Sequence, residues 1–502
     1  MFEKNNKELQ FTEPSKNVNE LTSGNLEIIL GINSDVKIRK LIINEKTNIQ
    51  ITMIYVDGLA NQAFISDYIL KPLYNNEKLN NAQDSKELIK LIDEGNIYIS
   101  SQLKLYDINK TLDEILSGGT ALIFDDCKTS IIFDTKGFEK RAISEPSVEN
   151  ITKAAKDSFV ETIRVNTSII RRKIKTANLV IENLVVGRQT ITNVAIVYIK
   201  GLTNTNIVDE VRNRLNAINI DSAIGTVNIE EFICDDVNCV FPQIANTERP
   251  DKFCNDIIEG RVGIIVDNLP IGYIVPGTLV QFLQAPEDYG RNYIFGSFIR
   301  FMRYCLLGFT LIFPGFFVAV LYYHQEMIPT RLILAISKAH TGVVFPMVIE
   351  IIYILISFEI LYEASLRIPR TIGQAISIIG TLVIGQAAVD AKIISPITVL
   401  IVATVSIASL VMPNQDVSNA LRLWRFIFVI FGGILGLYGI NIALILFIFK
   451  MAKLESFGVP YLSPIVSGDD QKLLEDTLFR FPMKFQKTRP KNINPLDIKR
   501  QG

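Results

Sequence analysis

Residues 304–323, YCLLGFTLIFPGFFVAVLYY, divide the chain into two chemically different parts. The twenty residues of this run are uncharged, and about twenty apolar helical residues span the hydrocarbon core of a bilayer. Pro314 predicts a kink in that helix. Lys, Glu, Asp and Asn are frequent before the run, whereas residues 304–449 hold nearly all the long uncharged stretches. The sequence therefore predicts an α/β region followed by an α-helical polytopic membrane domain.

Three further runs, 375–391, 396–412 and 425–449, also have the apolar character of spans. Segment 343–362 differs because glutamates interrupt it, and a carboxylate in hydrocarbon costs roughly 3 kcal/mol or more. We predict a re-entrant or interfacial helix there, with a fifth span as the alternative.

Charge alone does not decide between four and five spans. Five spans place the basic C-terminal tail on the far side of the membrane, and four place four arginines there instead. The arginines are Arg367, Arg370, Arg422 and Arg425. We favour four spans because glutamates argue more strongly against a lipid-facing helix than these arginines argue for a topology.

The α/β region is predicted to contain two subdomains, 21–144 and 145–290, after a mobile N-terminus of residues 1–20. A membrane domain at 291–455 and a tail at 456–502 complete the organisation. Alternating and apolar runs predict strands at 49–59, 178–187 and 193–201, a β-hairpin at 121–137, a helix at 206–218 and a helix-to-strand unit at 247–268. Ser147 and Asn150 are candidate N-caps of a long helix.

Composition excludes several classes of function. A net charge of −1 argues against a nucleic-acid-binding surface. With only two histidines in the chain, both beyond residue 300, the α/β region holds no histidine-based catalytic set. The five scattered cysteines suit a reducing compartment. We predict no enzyme activity, no cofactor and no metal, and a cytoplasmic N-terminal region because residues 1–20 lack a signal sequence.

Polar residues in segment 343–362 are candidates for an ion path. Glu350, Tyr353 and Ser357 share one helical face, and Glu359 and Glu363 lie on roughly the opposite face. A helix with two polar faces suits either a water-lined path or a half-buried interfacial position. If one face meets the path, we favour Glu350 with Ser357, and we expect Glu359 and Glu363 to pair with neighbouring protein.

The following apolar run carries small residues on one helical stripe. They include Gly373, Ser377 and Gly380. Small side chains permit close helix packing, and a narrow pore lined by them is the alternative. Gln386 and Asp390, near the end of the same helix, favour nearby water.

A series of short motifs follows a fixed order along the chain. They are FVET (159–162) with Asn166, Arg171 and Arg172; TERPD, which is Thr247, Glu248, Arg249, Pro250 and Asp251; EGR (259–261); PEDY, with Glu287, Asp288 and Tyr289; Glu363 and Ala364 with Arg367 and Pro369; IIG and IGQAAV within 378–389; and SFGVPY, which is Ser456, Phe457, Gly458, Val459, Pro460 and Tyr461. Together they resemble the GerA family, the A subunits of bacterial spore germinant receptors.

This resemblance implies a subunit of a nutrient receptor in the inner membrane of a spore. Members of the family look like oligomeric, pentameric channels that release monovalent cations when nutrient binds. The implied partners are copies of the same chain, a transporter-like B subunit, a lipoprotein C subunit and the lipid bilayer. An accessory germination channel of the same family and a non-conducting scaffold are the alternatives.

The motifs themselves permit two interpretations. Charged residues beside proline usually mark helix starts and turns, and TERPD and PEDY fit that structural role. A coupling role, which passes a subdomain movement to the first span, is the alternative. Where the family has a Gly-Pro-Arg-Asp-Gly turn, this chain has residues 154–158, AAKDS, which predict a helix instead.

Overall fold

A computed structural model describes residues 20–43, 49–99, 101–137, 155–223, 225–367, 385–466 and 473–500. Two antiparallel five-stranded sheets dominate the N-terminal half of the described chain, and helices dominate the C-terminal half. The division therefore falls close to the apolar run that begins at residue 304.

The first sheet unit consists of residues 20–137. Its elements are α1 (Ser23–Leu30), β1 (Val36–Ile43), β2 (Ile49–Val56), α2 (Gln62–Phe64), a π-helical turn (Ile65–Leu70), α3 (Lys71–Asn75), α4 (Glu77–Asn80), α5 (Ser85–Leu91), a second π-helical turn (Ile92–Asn96), β3 (Gln102–Leu105), α6 (Ile108–Leu116), β4 (Thr120–Phe124) and β5 (Thr129–Phe133). The strand order is β1-β2-β4-β5-β3.

The predicted hairpin is confirmed in this unit. Strands β4 and β5 pair with Ala121 opposite Ile132, and Lys128 takes a positive φ in the turn between them. Every residue of both strands is buried, because apolar side chains pack on both faces of the sheet in two separate cores. Strand β2 confirms the predicted strand at 49–59.

The second sheet unit consists of residues 155–290. Its elements are α7 (Ile163–Lys173), β6 (Leu179–Val186), β7 (Thr192–Ile199), α8 (Thr205–Ala217), α9 (Thr226–Ile233), β8 (Ala245–Thr247), α10 (Pro250–Ile258), β9 (Val262–Val266), β10 (Gly272–Val275), α11 (Leu279–Leu283) and α12 (Pro286–Gly290). The strand order is β6-β7-β9-β10-β8. The predicted strands, the helix at 206–218 and the helix-to-strand unit are present.

The two units repeat one topology. In both, the first two strands form a hairpin, the third lies at the far edge, and the fourth and fifth pair in the middle. A helix, α6 or α10, directly precedes the fourth strand in each unit. The chain therefore contains an internal structural repeat, which the sequence did not predict.

The predicted long helix before this unit differs from the structure. Its candidate caps, Ser147 and Asn150, lie outside the described residues. Residues 155–162 are not helical, and α7 begins only after Thr162. The helical prediction for AAKDS is therefore wrong over its described part, because hydrogen bonds tie this segment to the second unit: Arg249 Nη2 donates to Ala155 O at 3.0 Å, and Phe159 N donates to Glu248 O at 2.8 Å.

A buried charge pair joins the two units. The Arg171 guanidinium, 1% exposed, donates to both oxygens of Asp35 at 2.8 and 2.9 Å. It also donates to Asn33 Oδ1 and to Leu179 O. Asp35, Asn33 and Leu179 are all buried with it. Breaking the pair while either charge stays buried would therefore cost several kcal/mol.

The C-terminal half contains five described helices longer than ten residues. They are α13 (Tyr293–Tyr323), α14 (Thr330–His340), α15 (Met347–Arg367), α16 (Pro396–Ser409) and α17 (Gln415–Lys453). Short strands β11 (Glu455–Ser456) and β12 (Val459–Pro460) follow, and the tail has single turns at Leu473–Leu478, Met483–Phe485 and Lys491–Ile493. Among these, α13 and α17 are long and apolar enough to cross a membrane.

Helix α17 is a helical hairpin rather than the single span predicted at 425–449. Gly436 takes φ 64° and ψ −141°, which breaks the helix. The ring of Phe447 then lies 5.2 Å from that of Trp424 and 6.4 Å from that of Phe428, so the second half returns along the first. Tyr323, at the end of α13, donates to the carbonyls of residues 433 and 434 beside the break.

The tail returns to the second sheet unit. Leu496 N donates to Leu202 O at 2.8 Å, Arg500 pairs with Glu259 at 3.1 Å, and Ile493 is fully buried in the core of that unit. The beginning and the end of the helical half are therefore held at the same α/β body.

Candidate ion path and coupling region

Glu350 lies inside the helical bundle with no exposed surface. Its Oε2 accepts hydrogen bonds from Ser395 N at 2.8 Å and from Thr398 Oγ1 at 3.0 Å. Its Oε1 lies 2.7 Å from His340 Nε2. The carboxylate therefore connects α15 with the end of α14 and the start of α16.

The other two residues of the favoured face lie in different surroundings. Tyr353 is about half exposed (49%). Ser357 is partly buried, and its Oγ donates to Tyr353 O at 2.9 Å within the helix. In a single chain, Glu350 thus faces protein while Tyr353 faces outward, and a path formed by all three stays a prediction.

Both acids on the opposite face pair with arginine, but only Glu359 pairs with a neighbouring element. Glu359 accepts from Arg422 of α17 at 2.8 Å, whereas Glu363 pairs with Arg367 one turn along its own helix. The Glu359–Arg422 pair joins two helices, and its arginine side chain is mostly buried. The Glu363–Arg367 pair is exposed and contributes about 0.5 kcal/mol or less to stability.

The small-residue stripe is only partly visible. Gly373, Ser377 and Gly380 lie outside the described residues. Gln386 Nε2 donates to Asp390 Oδ1 at 3.1 Å on an exposed helical turn. The pore-lining role of these residues stays a prediction.

Arg425 is a buried charge that the sequence analysis placed only in a topology argument. It is 2% exposed, and its Nε donates to Thr310 O of α13 at 3.1 Å. Its Nη2 has no hydrogen-bond partner among the described residues. A charged side chain in this position is costly, so Arg425 belongs with the candidate functional residues.

TERPD builds the start of α10. Thr247 Oγ1 accepts from Arg249 N, and Pro250 occupies the first helical turn. The buried Arg249 guanidinium pairs with Asp251 at 2.7 Å and donates to Ala155 O. Glu248 contributes its carbonyl to Phe159 N. These contacts give the motif the structural role that its proline predicted.

The PEDY motif forms a cluster of buried charged side chains with Arg300 and Arg303 near the start of α13. We call this cluster the PEDY joint. Asp288, 2% exposed, accepts from Arg300 at 3.3 Å and from Arg303 at 3.0 and 3.1 Å. Its neighbour Glu287 makes a longer, partly exposed pair with Arg291. The joint fixes the first membrane-capable helix to the second sheet unit.

The tail completes this joint. Asp476 accepts from Arg300 Nη1 at 2.9 Å and from the Tyr289 hydroxyl at 3.0 Å, and Arg480 donates to Asp288 O. Burial, reinforced by the Asp476 charge, raises the pKa of Tyr289 well above its usual value, so the hydroxyl remains a donor.

SFGVPY forms a second joint, directly after α17. Ser456, fully buried, donates to Gln243 O at 2.7 Å and accepts from Gly277 N at 3.1 Å. Phe457 and Gly458 take positive φ values of 50° and 75° in the turn between β11 and β12. Pro460 ends that hairpin, and Tyr461 is buried with its backbone bonded to Leu454 and Leu279.

A cavity of about 880 Å³ lies between the second sheet unit and the loop that precedes α17. Its lining includes Glu230 and Glu231 of α9, Glu287 of PEDY, and Asp416. Burial, followed by the charges of Asp416 and Glu231, raises the pKa of Glu230 to about 7. Protonation of Glu230 therefore changes the charge at a contact between the two halves of the chain.

A family model described as "Bacillus/Clostridium GerA spore germination protein" matches residues 24–492. The chain belongs to the GerA family. Among relatives, "Spore germination protein KA" of Bacillus subtilis is 37% identical over 474 residues, covering 94% of this chain and 86% of the relative. "Spore germination protein GerLA" of Bacillus cereus is 32% identical over 468 residues, covering 93% and 94%.

One solved structure is also similar. It is the N-terminal domain of the A subunit of the Bacillus megaterium spore germinant receptor GerK3, 32% identical, with a TM-score of 0.42, covering 52% of this chain and 97% of that one. The relatives named above are spore germination proteins, in agreement with the family that the motif series indicated.

Sequence reasoning missed several residues of the joints in this GerA protein. It treated Asp476 and Arg480 only as parts of the basic C-terminal tail. It also did not connect His340, Ser395 or Thr398 with Glu350. A partial signal existed for the last pair, because Ser-Pro before an apolar run predicts a capped helix start. Contacts across more than a hundred residues, such as Arg300 with Asp476, have no local signal.

Proposed function

We propose that this chain is the A subunit of a spore germinant receptor and forms an oligomeric, nutrient-gated channel for monovalent cations in the spore inner membrane. The GerA family membership supplies the receptor class. The single structural observation that carries the channel proposal is the pair of charged side chains buried among apolar helices, namely Glu350 and Arg425.

Such side chains are rare in membrane segments and usually mark ion or substrate pathways. In this chain α13 and α17 are tied to the α/β body at two joints, PEDY and SFGVPY; Arg425 lies on α17 and contacts α13 through Thr310 O. A movement of the second sheet unit would therefore reach α13 and α17 directly. This is the route by which we propose that nutrient binding elsewhere in the receptor opens the path.

The assembly we propose contains several copies of this chain, a pentamer being the expectation, with a transporter-like B subunit and a lipoprotein C subunit. The sheet units and the tail lie on the cytoplasmic side. Because the tail packs against the second sheet unit, the helical half crosses the membrane an even number of times. The hairpin at Gly436 contributes two antiparallel segments to that count.

Reconstitution of the full chain with its B and C subunits in liposomes tests the channel. Nutrient should release trapped K⁺ or Na⁺ in this system, and Glu359→Gln should alter the rate or the selectivity. Glu363→Gln is the matched control, because Glu363 pairs only with an exposed arginine of its own helix in the described structure. Nutrient-independent or absent cation release from a correctly assembled complex would refute the proposal.

A non-conducting scaffold is the second candidate. It is favoured by the observation that Glu350 and Glu359 have partners within one chain, so the positions of both carboxylates have a purely structural explanation. A scaffold would assemble with the B and C subunits and bind nutrient without passing cations. An accessory channel of the same family would instead conduct without any dependence on nutrient.

A further inference from the structure

The first turns of α13 carry their charged and their apolar side chains on opposite faces. Arg300 and Arg303 are buried against Asp288, on the face that packs on the second sheet unit. The opposite face is exposed and apolar, and it carries Ile294, Phe295, Phe298, Phe301 and Met302. Because the charges point into the protein and the aromatic rings point outward, this face suits apolar surroundings better than bulk water.

The C-terminal tail extends this apolar face. The ring of Phe479 stacks on that of Phe301, with the ring centroids 5.9 Å apart and the planes 8° from parallel. The main chain of Arg480 is fixed beside them, because its N donates to Ser297 Oγ and Ser297 Oγ donates to its O, both at 2.9 Å. Phe481 follows and is exposed. We call the exposed side chains of residues 294–302 and 479–481 the α13–tail face.

The α13–tail face lies next to the uncharged run that begins at residue 304. At a rise of about 1.5 Å per residue, Phe298 and Phe301 lie roughly 5–9 Å before that run. The headgroup region of a bilayer extends roughly 5–8 Å beyond the hydrocarbon on each side. Where α13 crosses the membrane as proposed above, the face therefore lies at the level of the lipid headgroups.

The tail beside this face is basic. Between Asp476 and Asp497 the sequence has no acidic residue, and the basic residues there are Arg480, Lys484, Lys487, Arg489 and Lys491. Lys484 and Lys487 are exposed. Segments that lie in a membrane surface combine Phe or Leu on the buried side with Lys or Arg on the polar side, and the basic residues attract anionic lipid. The α13–tail face with its two lysines has this composition.

We propose that the α13–tail face binds the cytoplasmic surface of an anionic bilayer, with its aromatic rings at the acyl boundary and Lys484 and Lys487 against the negative headgroups. The tail is then an interfacial element held between the bilayer and the second sheet unit. Because Asp476 and Arg480 complete the PEDY joint, lipid contact with residues 479–481 also restrains that joint. The inference rests on the membrane location in the proposed function, but not on cation conduction or nutrient gating.

Spin labels on the full-length chain test this surface. In a variant without the five native cysteines, one label at a time is attached through Phe298→Cys, Phe481→Cys, Tyr98→Cys in the first sheet unit or Phe316→Cys in the uncharged run. The protein is reconstituted in vesicles of phosphatidylcholine alone or of phosphatidylcholine mixed equally with phosphatidylglycerol. Oxygen, which concentrates in lipid, and a water-soluble nickel chelate then measure the depth of each label.

Labels at positions 298 and 481 should lie between those at 98 and 316 in depth, shielded from nickel and reached by oxygen. The label at 481 should lie deeper in the vesicles that contain phosphatidylglycerol. Lys484→Gln combined with Lys487→Gln should remove most of this difference between the two lipids. The matched control is Lys86→Gln with Lys110→Gln, since both lysines are exposed on the first sheet unit, and it should leave the difference unchanged.

Separate results would overturn the proposal. A label at 481 that nickel reaches as easily as the label at 98, in both kinds of vesicle, would show that the face lies in water. Labels shielded from both reagents, with spin–spin broadening that dilution with unlabelled protein removes, would show that a second copy of the chain covers the face. An equal effect of the two pairs of lysine substitutions would refute the role of Lys484 and Lys487.

The label at 316 separates this inference from the proposed function. If nickel rather than oxygen reaches position 316, the membrane location itself is wrong, and the inference is refuted with it. If position 316 lies in lipid and position 481 lies in water, the inference alone is refuted. Because no cation flux is measured, failure of the channel experiment leaves this test intact.

Discussion

Arginine side chains form the joints of this molecule at the scale of single residues. Arg171 joins the two sheet units, and Arg300 and Arg303 join the second unit to α13. Each is at least 95% buried and faces aspartate. Guanidinium groups suit these positions because one group donates several hydrogen bonds in a fixed plane to carboxylates and carbonyls.

Replacing Asp288 with asparagine should destabilise the folded chain strongly. Two buried arginines would lose their shared carboxylate, and leaving a buried charge uncompensated costs about 3–5 kcal/mol. Unfolding of the full-length protein in detergent measures the loss. Glu287→Gln is the control from the same motif: its pair is partly exposed, so it should cost about 1 kcal/mol or less. Equal losses in the free energy of unfolding for the two variants would contradict a role of Asp288 in holding the two buried arginines.

Glu230 should make stability depend on pH. Its carboxyl has a pKa of about 7 in the folded chain against an ordinary value of 4.5, so between these values the folded state binds more protons than the unfolded state. The free energy of unfolding therefore decreases as the pH rises through this interval. Glu230→Gln should flatten that decrease, measured by unfolding at several pH values. Glu77→Gln, on an exposed helix of the first unit, should leave the slope unchanged.

At the scale of helices and strands, close backbone contact between α13 and α17 depends on glycine. A Cβ atom on Gly315 would overlap the carbonyl of Phe428, and one on Gly432 would overlap the carbonyl of Gly315. The two helices therefore approach through their main chains, as small residues permit in membrane bundles.

Gly315→Ala should consequently destabilise the bundle by about 1–3 kcal/mol, the usual cost of overpacking. Gly308 provides a matched control in the same helix, because a Cβ there meets no atom within 4 Å. Gly308→Ala should be neutral or stabilising by up to about 1 kcal/mol. Thermal unfolding of both variants in detergent measures the two changes in stability. Equal changes in the two variants would rule out the close backbone contact between α13 and α17.

Local patterns predicted the individual elements well and their arrangement poorly. Strands β2, β4 and β5 follow from apolar alternation and a turn, and α10 follows from its proline. The break at Gly436 was missed because glycines are frequent in apolar helices, and one glycine does not specify a reversal. Gly436 is distinguished by a tertiary contact beside it: the Tyr323 hydroxyl donates to the carbonyls of residues 433 and 434.

At the scale of the whole molecule, the position of the tail favours an even number of membrane crossings in the proposed topology. A five-span arrangement would separate the tail from the sheet units by a bilayer, yet Leu496 and Arg500 contact the second unit directly. We therefore expect the basic residues of the tail on the same side of the membrane as the N-terminal half.

Single-cysteine labelling should reproduce this arrangement. In a variant without the five native cysteines, cysteines at Tyr98 and Phe485, which are 81% and 63% exposed, should react from the same side of oriented membrane vesicles. A cysteine at Val344, 72% exposed between α14 and α15, should react from the opposite side. Labelling of positions 98 and 485 from opposite sides would overturn the even number of crossings.

The contact of the tail with the second sheet unit also constrains the order of events during synthesis. Ile493 fills the core of a unit whose other residues leave the ribosome more than two hundred residues earlier. The core of that unit consequently stays incomplete until α13 to α17 have been made and the last residues released. A nascent chain that stalls before residue 493 would leave part of this core unfilled.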